Sequence, residues 1–227
     1  MARKIEVVAY RPEWEKLYRE EAHKIKVILG KNCLSIFHIG STAVKGLAAK
    51  PILDIMSVVK DISLVDAHNK EFEALGYECM GEFGIPGRRF LKKGGNLRTH
   101  HVHIFENQNT TAINRHLAVR NYLKSHPAEA AAYAELKKKL AAQFPYDNDG
   151  YCQGKDAFVK ELELKSVLWS QNQVHQSYCV AIGMCFGSAA GMVLGATLHQ
   201  NIGIGMCLGI PIGMLVGLGI GRCNRKT

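Results

Sequence analysis

The C-terminal part of this chain lacks charge. Residues 178–221 contain no Asp, Glu, Lys or Arg, whereas charged and apolar residues mix throughout residues 1–172. This contrast divides the 227 residues into a globular domain at 1–170 and an apolar segment at 178–221. A polar linker at 171–177 and a basic tail at 222–227 complete the predicted organisation.

Other absences exclude several classes of protein. The seven cysteines form no CxxC pair, which argues against a zinc cluster or a disulfide framework and favours a reducing compartment. The opening residues lack an apolar run, so no signal peptide is expected. The basic residues are not interleaved with aromatic residues, which makes nucleic acid an unlikely partner. The net charge of +9 suits a phosphate ligand or an anionic membrane surface, and equally a solvated face.

The apolar segment contains two stretches at 178–198 and 202–221, each about the twenty residues that cross a bilayer. His199, Gln200 and Asn201 separate them. Glycine recurs every fourth residue in both stretches, which gives each predicted helix a smooth face that lets helices pack closely in lipid. These glycines are Gly183, Gly187, Gly191 and Gly195, then Gly205, Gly209, Gly213, Gly217 and Gly221.

A glycine-zipper transmembrane hairpin is therefore predicted, with lipid contacts over 178–221 and self-association through the glycine stripes. Arg222, Arg225 and Lys226 predict a cytoplasmic C-terminus, and a hairpin then leaves the N-terminal domain in the cytoplasm as well. The alternatives are a buried soluble hairpin and a disordered glycine-rich tail.

Hydrophobic periodicity in the first part predicts an α+β domain with a mixed sheet and packed helices. Predicted strands cover 5–9, 35–39, 52–59, 88–92 and 99–105, and predicted helices cover 14–29, 43–49, 64–75, 114–124, 128–143 and 156–170.

Residues 38–55, HIGSTAVKGLAAKPILDI, carry the clearest chemical signal. Gly40, Ser41 and Thr42 form a small-residue turn that can offer backbone N–H groups and hydroxyls to a phosphate. Asp54 follows on an apolar strand, where a carboxylate can act on the same ligand. A Gly-Ser turn is also an ordinary helix N-cap, so the turn alone is weak support for a nucleotide site.

Residues 38–55 resemble the GrpB family, which belongs by fold to the nucleotidyltransferase superfamily of DNA polymerase β. VVAYRPEWEKLYREE at 7–21, RTHHVHIFE at 98–106, HLAVRNYLKSHPAEAAAYAELKKKLA at 116–141 and YCQGKDAFV at 151–159 extend the resemblance. It implies a nucleotidyltransferase-like fold with Ser41 and Asp54 as catalytic residues. In that superfamily a second acidic residue stands two positions after the first, but Met56 occupies the matching position here, and a thioether is no Mg²⁺ ligand.

His101 and His103 alternate with apolar residues on one strand and could replace the missing carboxylate. An Asp54, His101 and His103 set would bind a divalent metal such as Mg²⁺, Mn²⁺ or Zn²⁺, with nitrogen ligands favouring the latter two. The alternative is that both histidines only fix the fold. Lys50, Arg89 and Lys92 are candidate phosphate contacts or surface residues. His38 is expected to be a packed core residue.

Three functions remain open from the sequence. The first is a membrane-tethered nucleotidyltransferase that moves a nucleotidyl or phosphoryl group from a nucleoside triphosphate to an unidentified acceptor. The second is an inactive domain that binds a nucleotide or small phosphate ligand as a regulator, which Met56 favours. In the third, the hairpin oligomerises or docks another membrane protein, and the N-terminal domain is a tethered regulator.

Overall fold

The computed structural model describes residues 4–197 and 202–223. Contacts divide the chain into two compact units, Met1–Ser166 and Val167–Thr227. The first unit contains the whole sheet and every candidate site residue, and the second contains the apolar helices. Each unit is described by itself below.

The first unit is built on a five-stranded mixed sheet. Its strands are β1 (Cys33–Ile39), β2 (Leu53–Val59), β3 (Tyr77–Cys79), β4 (Arg88–Lys93) and β5 (His100–Glu106). Their order across the sheet is β1-β2-β5-β4-β3. β2 and β5 run parallel, and the other neighbouring pairs are antiparallel. The predicted α+β class is confirmed.

The helices of the first unit are α1 (Glu13–Leu29), α2 (Asn69–Ala74), α3 (Thr110–Ser125), α4 (Pro127–Gln143) and the beginning of α5 (Asn148–Thr197), and α1 and α3 pack on opposite faces of the sheet. The rest of α5 and α6 (Ile202–Cys223) belong to the second unit. α1 ends at Gly30, whose φ of 52° suits glycine. The Asn109 side chain caps α3 by accepting a hydrogen bond from the Ala112 N–H, and Pro127 starts α4.

β2 lies at the centre of the core because every residue in it except Asp54 is buried. On one face Ile55 and Val59 pack with Ile25 and Leu29 of α1. On the opposite face Met56 packs with Ile39 and Phe105, beneath residues 112–117 of α3. Asp54 is thus the one charged residue on a strand that is otherwise buried on both faces.

Several predicted elements of the first unit differ from the structure. The strand at 5–9 is reduced to one bridge between Val8 and Ala49. The helix at 43–49 is wrong: one 3₁₀ turn, Ser41–Ala43, is present, and Gly46 has a φ of 83°, which a helix cannot contain. The three-residue strand β3 was missed. Residues 171–177, predicted as a linker, lie inside α5.

The second unit pairs the apolar part of α5 with α6. A Cβ atom built on Gly183, Gly187 or Gly191 would collide with the carbonyl oxygen of a glycine on α6, namely Gly213, Gly209 or Gly205. The glycine faces therefore contact each other within one chain, and self-association through them stays a prediction. The three residues predicted to separate the helices, together with Arg225 and Lys226, lie outside the described residues.

Both helices are long and apolar enough to cross a membrane, because each contains an 18-residue window of high mean hydropathy, 1.8 in α5 and 2.0 in α6. Their outward side chains are exposed large hydrophobic groups, including Ile182, Phe186, Val193, Leu194, Ile204, Leu208, Ile212 and Leu215. Orientation in a membrane stays a prediction.

Candidate functional site

The loop after β1 is held tightly against the Asp54 carboxylate. Gly40 has φ 68° and ψ −170°, a conformation essentially limited to glycine. A Cβ atom built on Gly40 would lie 2.5 Å from Oδ2 of Asp54. β1 pairs with β2 so that Ile39 lies opposite Asp54, which fixes this approach. The small-residue turn and the strand carboxylate are therefore brought together.

Asp54 is bound by two histidines from the parallel strand β5. His101 Nδ1 donates a hydrogen bond to Asp54 Oδ1 at 3.0 Å, and His103 Nε2 lies 4.0 Å from the same oxygen. Burial raises the pKa of Asp54, but the hydrogen bond from His101 and the nearby His103 imidazole lower this pKa by more, so that it falls well below its usual range. Asp54 is an anion at neutral pH.

The predicted ligands of a divalent metal are Asp54, His101 and His103, and the hydrogen bonds of the two histidines determine which of their nitrogens carry protons. Arg88 Nη1 can only donate, so its 3.4 Å contact to His103 Nδ1 makes that nitrogen the acceptor and places the proton on Nε2, toward Asp54. Both imidazoles thus direct N–H groups at one carboxylate oxygen. In the described part of the chain, no three His, Cys, Asp or Glu side chains form a group suited to a metal ion. In this hydrogen-bonding arrangement the imidazole nitrogens nearest to Asp54 carry protons and offer no lone pair to a metal. Metal binding stays a prediction.

Met56 shows why a second carboxylate is missing. Its side chain is fully buried among Ile39, Phe105 and the first turns of α3. A carboxylate there would lose its hydration among these apolar side chains. Position 56 therefore contributes to core packing.

A cavity of about 220 Å³ opens beside Asp54, and lysine dominates its polar lining. Lys137 of α4 donates hydrogen bonds to Ser41 Oγ at 3.0 Å and to the Ala48 carbonyl oxygen. Its side chain is only 3% exposed, and its ammonium group lies 4.4 Å from the centre of the Tyr133 ring. Burial, and secondarily the charge of Lys155, lowers the pKa of Lys137 to about 7.

Lys50 and Lys155 also line this cavity, with Ser41, Thr42 and His101. The Lys50 ammonium group lies 4.6 Å from the centre of the Tyr151 ring. Burial, with the nearby Asp54 charge, raises the pKa of Tyr133 to about 12, so its hydroxyl keeps its proton. Three lysines and four hydroxyl side chains line this small cavity together with Asp54. Ammonium and hydroxyl groups are the kind of side-chain groups that contact anions with several oxygens.

The other predicted residues have different positions. Thr42 is buried and its hydroxyl pairs with His38 Nε2 at 3.0 Å, so His38 is the packed residue expected from the sequence. Arg89 forms two 2.7 Å hydrogen bonds with Asp66 and lies on the strand face opposite Asp54. The structure does not bring Arg89 to the site. Lys92 lines a neighbouring cavity and pairs with Glu78 at 3.0 Å.

Sequence reasoning missed Lys137, Lys155 and Tyr151, and assigned Tyr133 to the core. A signal for Lys137 exists on α4. The buried residues of this helix are Ala130, Ala134, Lys137 and Leu140, so one lysine occupies the apolar stripe. A lysine on such a stripe needs a partner, and the partner here is the Ser41 loop.

The chain belongs to the GrpB family. Its sequence matches the family of the GrpB protein over residues 4–165. It is similar to the UPF0157 protein YqkA of Bacillus subtilis, with 44% identity over 171 residues that cover 75% of this chain and 50% of YqkA. A crystal structure of the conserved protein GrpB from Enterococcus faecalis superposes with a TM-score of 0.70 and 51% identity, covering 71% of this chain and 97% of that one.

A more distant likeness is to the Cid1 poly(U) polymerase, with a TM-score of 0.41 and 16% identity over 58% of this chain and 45% of that one. A likeness this weak supports no conclusion about activity. The chain spans about half the length of the Bacillus subtilis relative.

Proposed function

We propose that the first unit binds the phosphate groups of a nucleoside triphosphate in the lysine-lined cavity. The observation that carries this proposal is the convergence of Lys50, Lys137 and Lys155 on the Ser41 loop beside Asp54. The nucleotidyltransferase-like assignment of the fold is part of the same proposal. The phosphates would bind to the lysines and to the Ser41 hydroxyl, and Asp54 would exclude anions from its own side of the cavity.

Thermal stabilisation of the full-length protein in a mild detergent tests this proposal. A ligand at about one hundred times its dissociation constant adds about 2.7 kcal/mol to the free energy of unfolding. We expect a rise in melting temperature with nucleoside triphosphates and with inorganic tripolyphosphate. Lys155→Gln should reduce the rise, whereas Lys139→Gln, which removes the same charge outside the cavity, should retain it. Equal rises in both variants would contradict the proposal.

Transfer of a phosphoryl or nucleotidyl group is a second candidate function. The Asp54–His101 pair favours it, because His101 lines both the lysine cavity and a neighbouring cavity. Binding with release of phosphate or pyrophosphate in an acceptor screen would support transfer. Binding without turnover, with or without Mg²⁺, Mn²⁺ or Zn²⁺, would favour the regulatory function and leave the metal prediction without support.

The membrane hairpin is the third part of the proposal. α6 and the apolar part of α5 would insert as a pair through their glycine faces, because their outward side chains are large and apolar. The first unit and the C-terminus would then both lie on the cytoplasmic side, because the basic residue Arg222 at the end of α6 favours that side.

A further inference from the structure

A second cavity of about 500 Å³ adjoins the lysine-lined cavity. Lys50, Ile52 and His101 line both cavities, so these residues mark the shared edge. Its volume lies within the about 300–1,000 Å³ typical of small-molecule sites. The proposed triphosphate site does not account for this second cavity.

Charge is the first property that points to its ligand. Besides Lys50, the cavity is lined by Lys92 and Arg98, and no Asp or Glu is among its described lining residues. Arg98 Nε is buried and has no hydrogen-bond partner among the described residues. A buried guanidinium nitrogen without a partner is costly unless a ligand supplies an acceptor. The cavity is therefore suited to an anion of its own.

Aromatic side chains are the second property. Phe83 and Phe90 stack with their ring centres 5.3 Å apart and their planes 17° from parallel, and Tyr146 lines the same cavity. Asn96 and Asn148 add amide donors and acceptors. A planar ring with polar edges would stack on the aromatic groups and hydrogen-bond to the amides.

The backbone of Phe83 is held in a strained conformation. Its φ of 44° is the one positive φ of a non-glycine residue among the described residues, and for a bulky residue this is a strained conformation. Arg88, which is 6% exposed, donates hydrogen bonds to the Phe83 carbonyl oxygen at 2.7 Å and to the Glu82 carbonyl oxygen at 3.2 Å. The Phe83 ring stays 57% exposed. The loop thus exposes an aromatic ring that is not buried in the hydrophobic core.

We propose that the second cavity binds a nucleoside monophosphate, with its base on the exposed Phe83 ring, which stacks on Phe90, and its phosphate on Arg98 and Lys92. This ligand is distinct from the triphosphate of the lysine-lined cavity, because besides the shared Lys50 each cavity has cations of its own. The proposal deepens the proposed function, since it gives the same site a second ligand and places the Asp54–His101 pair between the two.

Calorimetric titration of the full-length protein in detergent tests the proposal. AMP, GMP, CMP and UMP would be titrated separately, with ribose 5-phosphate as a ligand without a base and a non-hydrolysable triphosphate as the ligand of the first cavity. Phe83→Ala and Arg98→Gln remove the ring and the charge, and Leu97→Ala and Arg11→Gln are exposed controls. Melting temperatures of all variants would show that they fold.

At least one nucleoside monophosphate should bind more tightly than ribose 5-phosphate. Phe83→Ala and Arg98→Gln should each weaken that binding by about tenfold or more, which is at least about 1.4 kcal/mol. Triphosphate affinity should stay within about twofold of the parent in both variants. The two controls should bind both ligands normally.

Three results would contradict the proposal that the second cavity binds a nucleoside monophosphate. They are triphosphate binding with no monophosphate binding, equal weakening of both ligands by Phe83→Ala, and competition between the two ligands, which would mean that one ligand spans both cavities. Monophosphate binding without any triphosphate binding would instead contradict the proposed function, so the two failures are distinguishable.

Discussion

At the scale of single residues, the site depends on two charged side chains, Asp54 and Lys137, whose removal from water costs free energy. Asp54 is an anion because two imidazole N–H groups face it. Lys137 is buried against a backbone carbonyl and the Ser41 hydroxyl, where no carboxylate contacts its ammonium group among the hydrogen bonds described. A buried cation without a paired carboxylate is under-compensated. A bound phosphate would supply the missing charge.

Gly40 provides one test at this scale. Gly40→Ala should lower the free energy of unfolding by about 1–3 kcal/mol, because its backbone conformation is restricted to glycine. It should also weaken triphosphate binding, because the clash of the new methyl group with Asp54 would displace the loop that carries the Ser41 hydroxyl. Gly46→Ala is the matched control: its φ is 83°, but a Cβ there meets nothing within 4 Å. Binding measured by calorimetry should be normal in Gly46→Ala, and equal binding in both variants would contradict this account of the loop.

Met56 provides a second test. Met56→Asp should lower the free energy of unfolding by about 3 kcal/mol or more, because a carboxylate would be buried in an apolar cluster. In a chain of this size that corresponds to a fall in melting temperature of about 6–12 °C. Met56→Leu keeps the volume and should cost less than about 1.5 kcal/mol. A stable Met56→Asp protein that gains metal-dependent binding would show that the position can still hold a metal ligand.

At the scale of elements, the difference between what sequence predicts and what it misses has physical causes. The strand β2 was predictable because a short, mostly apolar run rich in β-branched residues is typical of a strand buried on both faces, and β5 was predictable because its histidines alternate with apolar residues. The helix at 43–49 failed because Gly46 adopts a positive φ, which composition does not reveal. The three-residue strand β3 is too short to show a period. Lys137 was missed because it meets Ser41, a residue 96 positions earlier in the chain.

The glycine faces of α5 and α6 lead to a prediction about helix packing. Gly209→Ala should destabilise the pairing of the two helices, because its methyl group would collide with the Gly187 carbonyl oxygen. Gly219→Ala is the control, since a Cβ there meets nothing within 4 Å and gains the same helix propensity. SDS titration followed by circular dichroism should show earlier unfolding for Gly209→Ala only. Identical titrations would contradict packing through this face.

At the scale of the whole molecule, the chain joins two units with different solvent requirements. The first has a buried core and a polar surface, and its family was recognisable from the sequence because its motifs span most of residues 4–165. The second exposes large apolar side chains that water would not favour. Composition alone predicted that division, although it did not predict that α5 runs without interruption from Asn148 to Thr197.

Native cysteines test whether the second unit inserts into a membrane. Cys185 and Cys207 lie on the apolar helices, and Cys152 lies on the first unit, and all three are exposed in the structure. A membrane-impermeant maleimide should label Cys152 in broken cells but not in intact cells. Cys185 and Cys207 should be labelled only after solubilisation, because lipid would cover them. Equal labelling of all three in membranes would contradict insertion.

The binding of a triphosphate beside Lys137 is the central claim, and its dependence on pH tests the claim most directly. Burial lowers the pKa of Lys137 to about 7, and a bound phosphate would raise it again. Binding above about pH 7 would then take up a proton, so affinity should fall as pH rises, by up to about tenfold per pH unit. The range from about pH 7 to about pH 9 lies above the second ionisation of phosphate, near pH 6.

The measurement is calorimetric titration of a triphosphate into the parent, Lys137→Met and Lys138→Met proteins at several pH values. Lys138 is the matched control because it is exposed and pairs with Glu135 at 2.7 Å. The account predicts that Lys137→Met binds about tenfold or more weakly near pH 7 and loses most of the pH dependence, while Lys138→Met behaves like the parent. Parallel pH curves with equal affinities in all three proteins would contradict it.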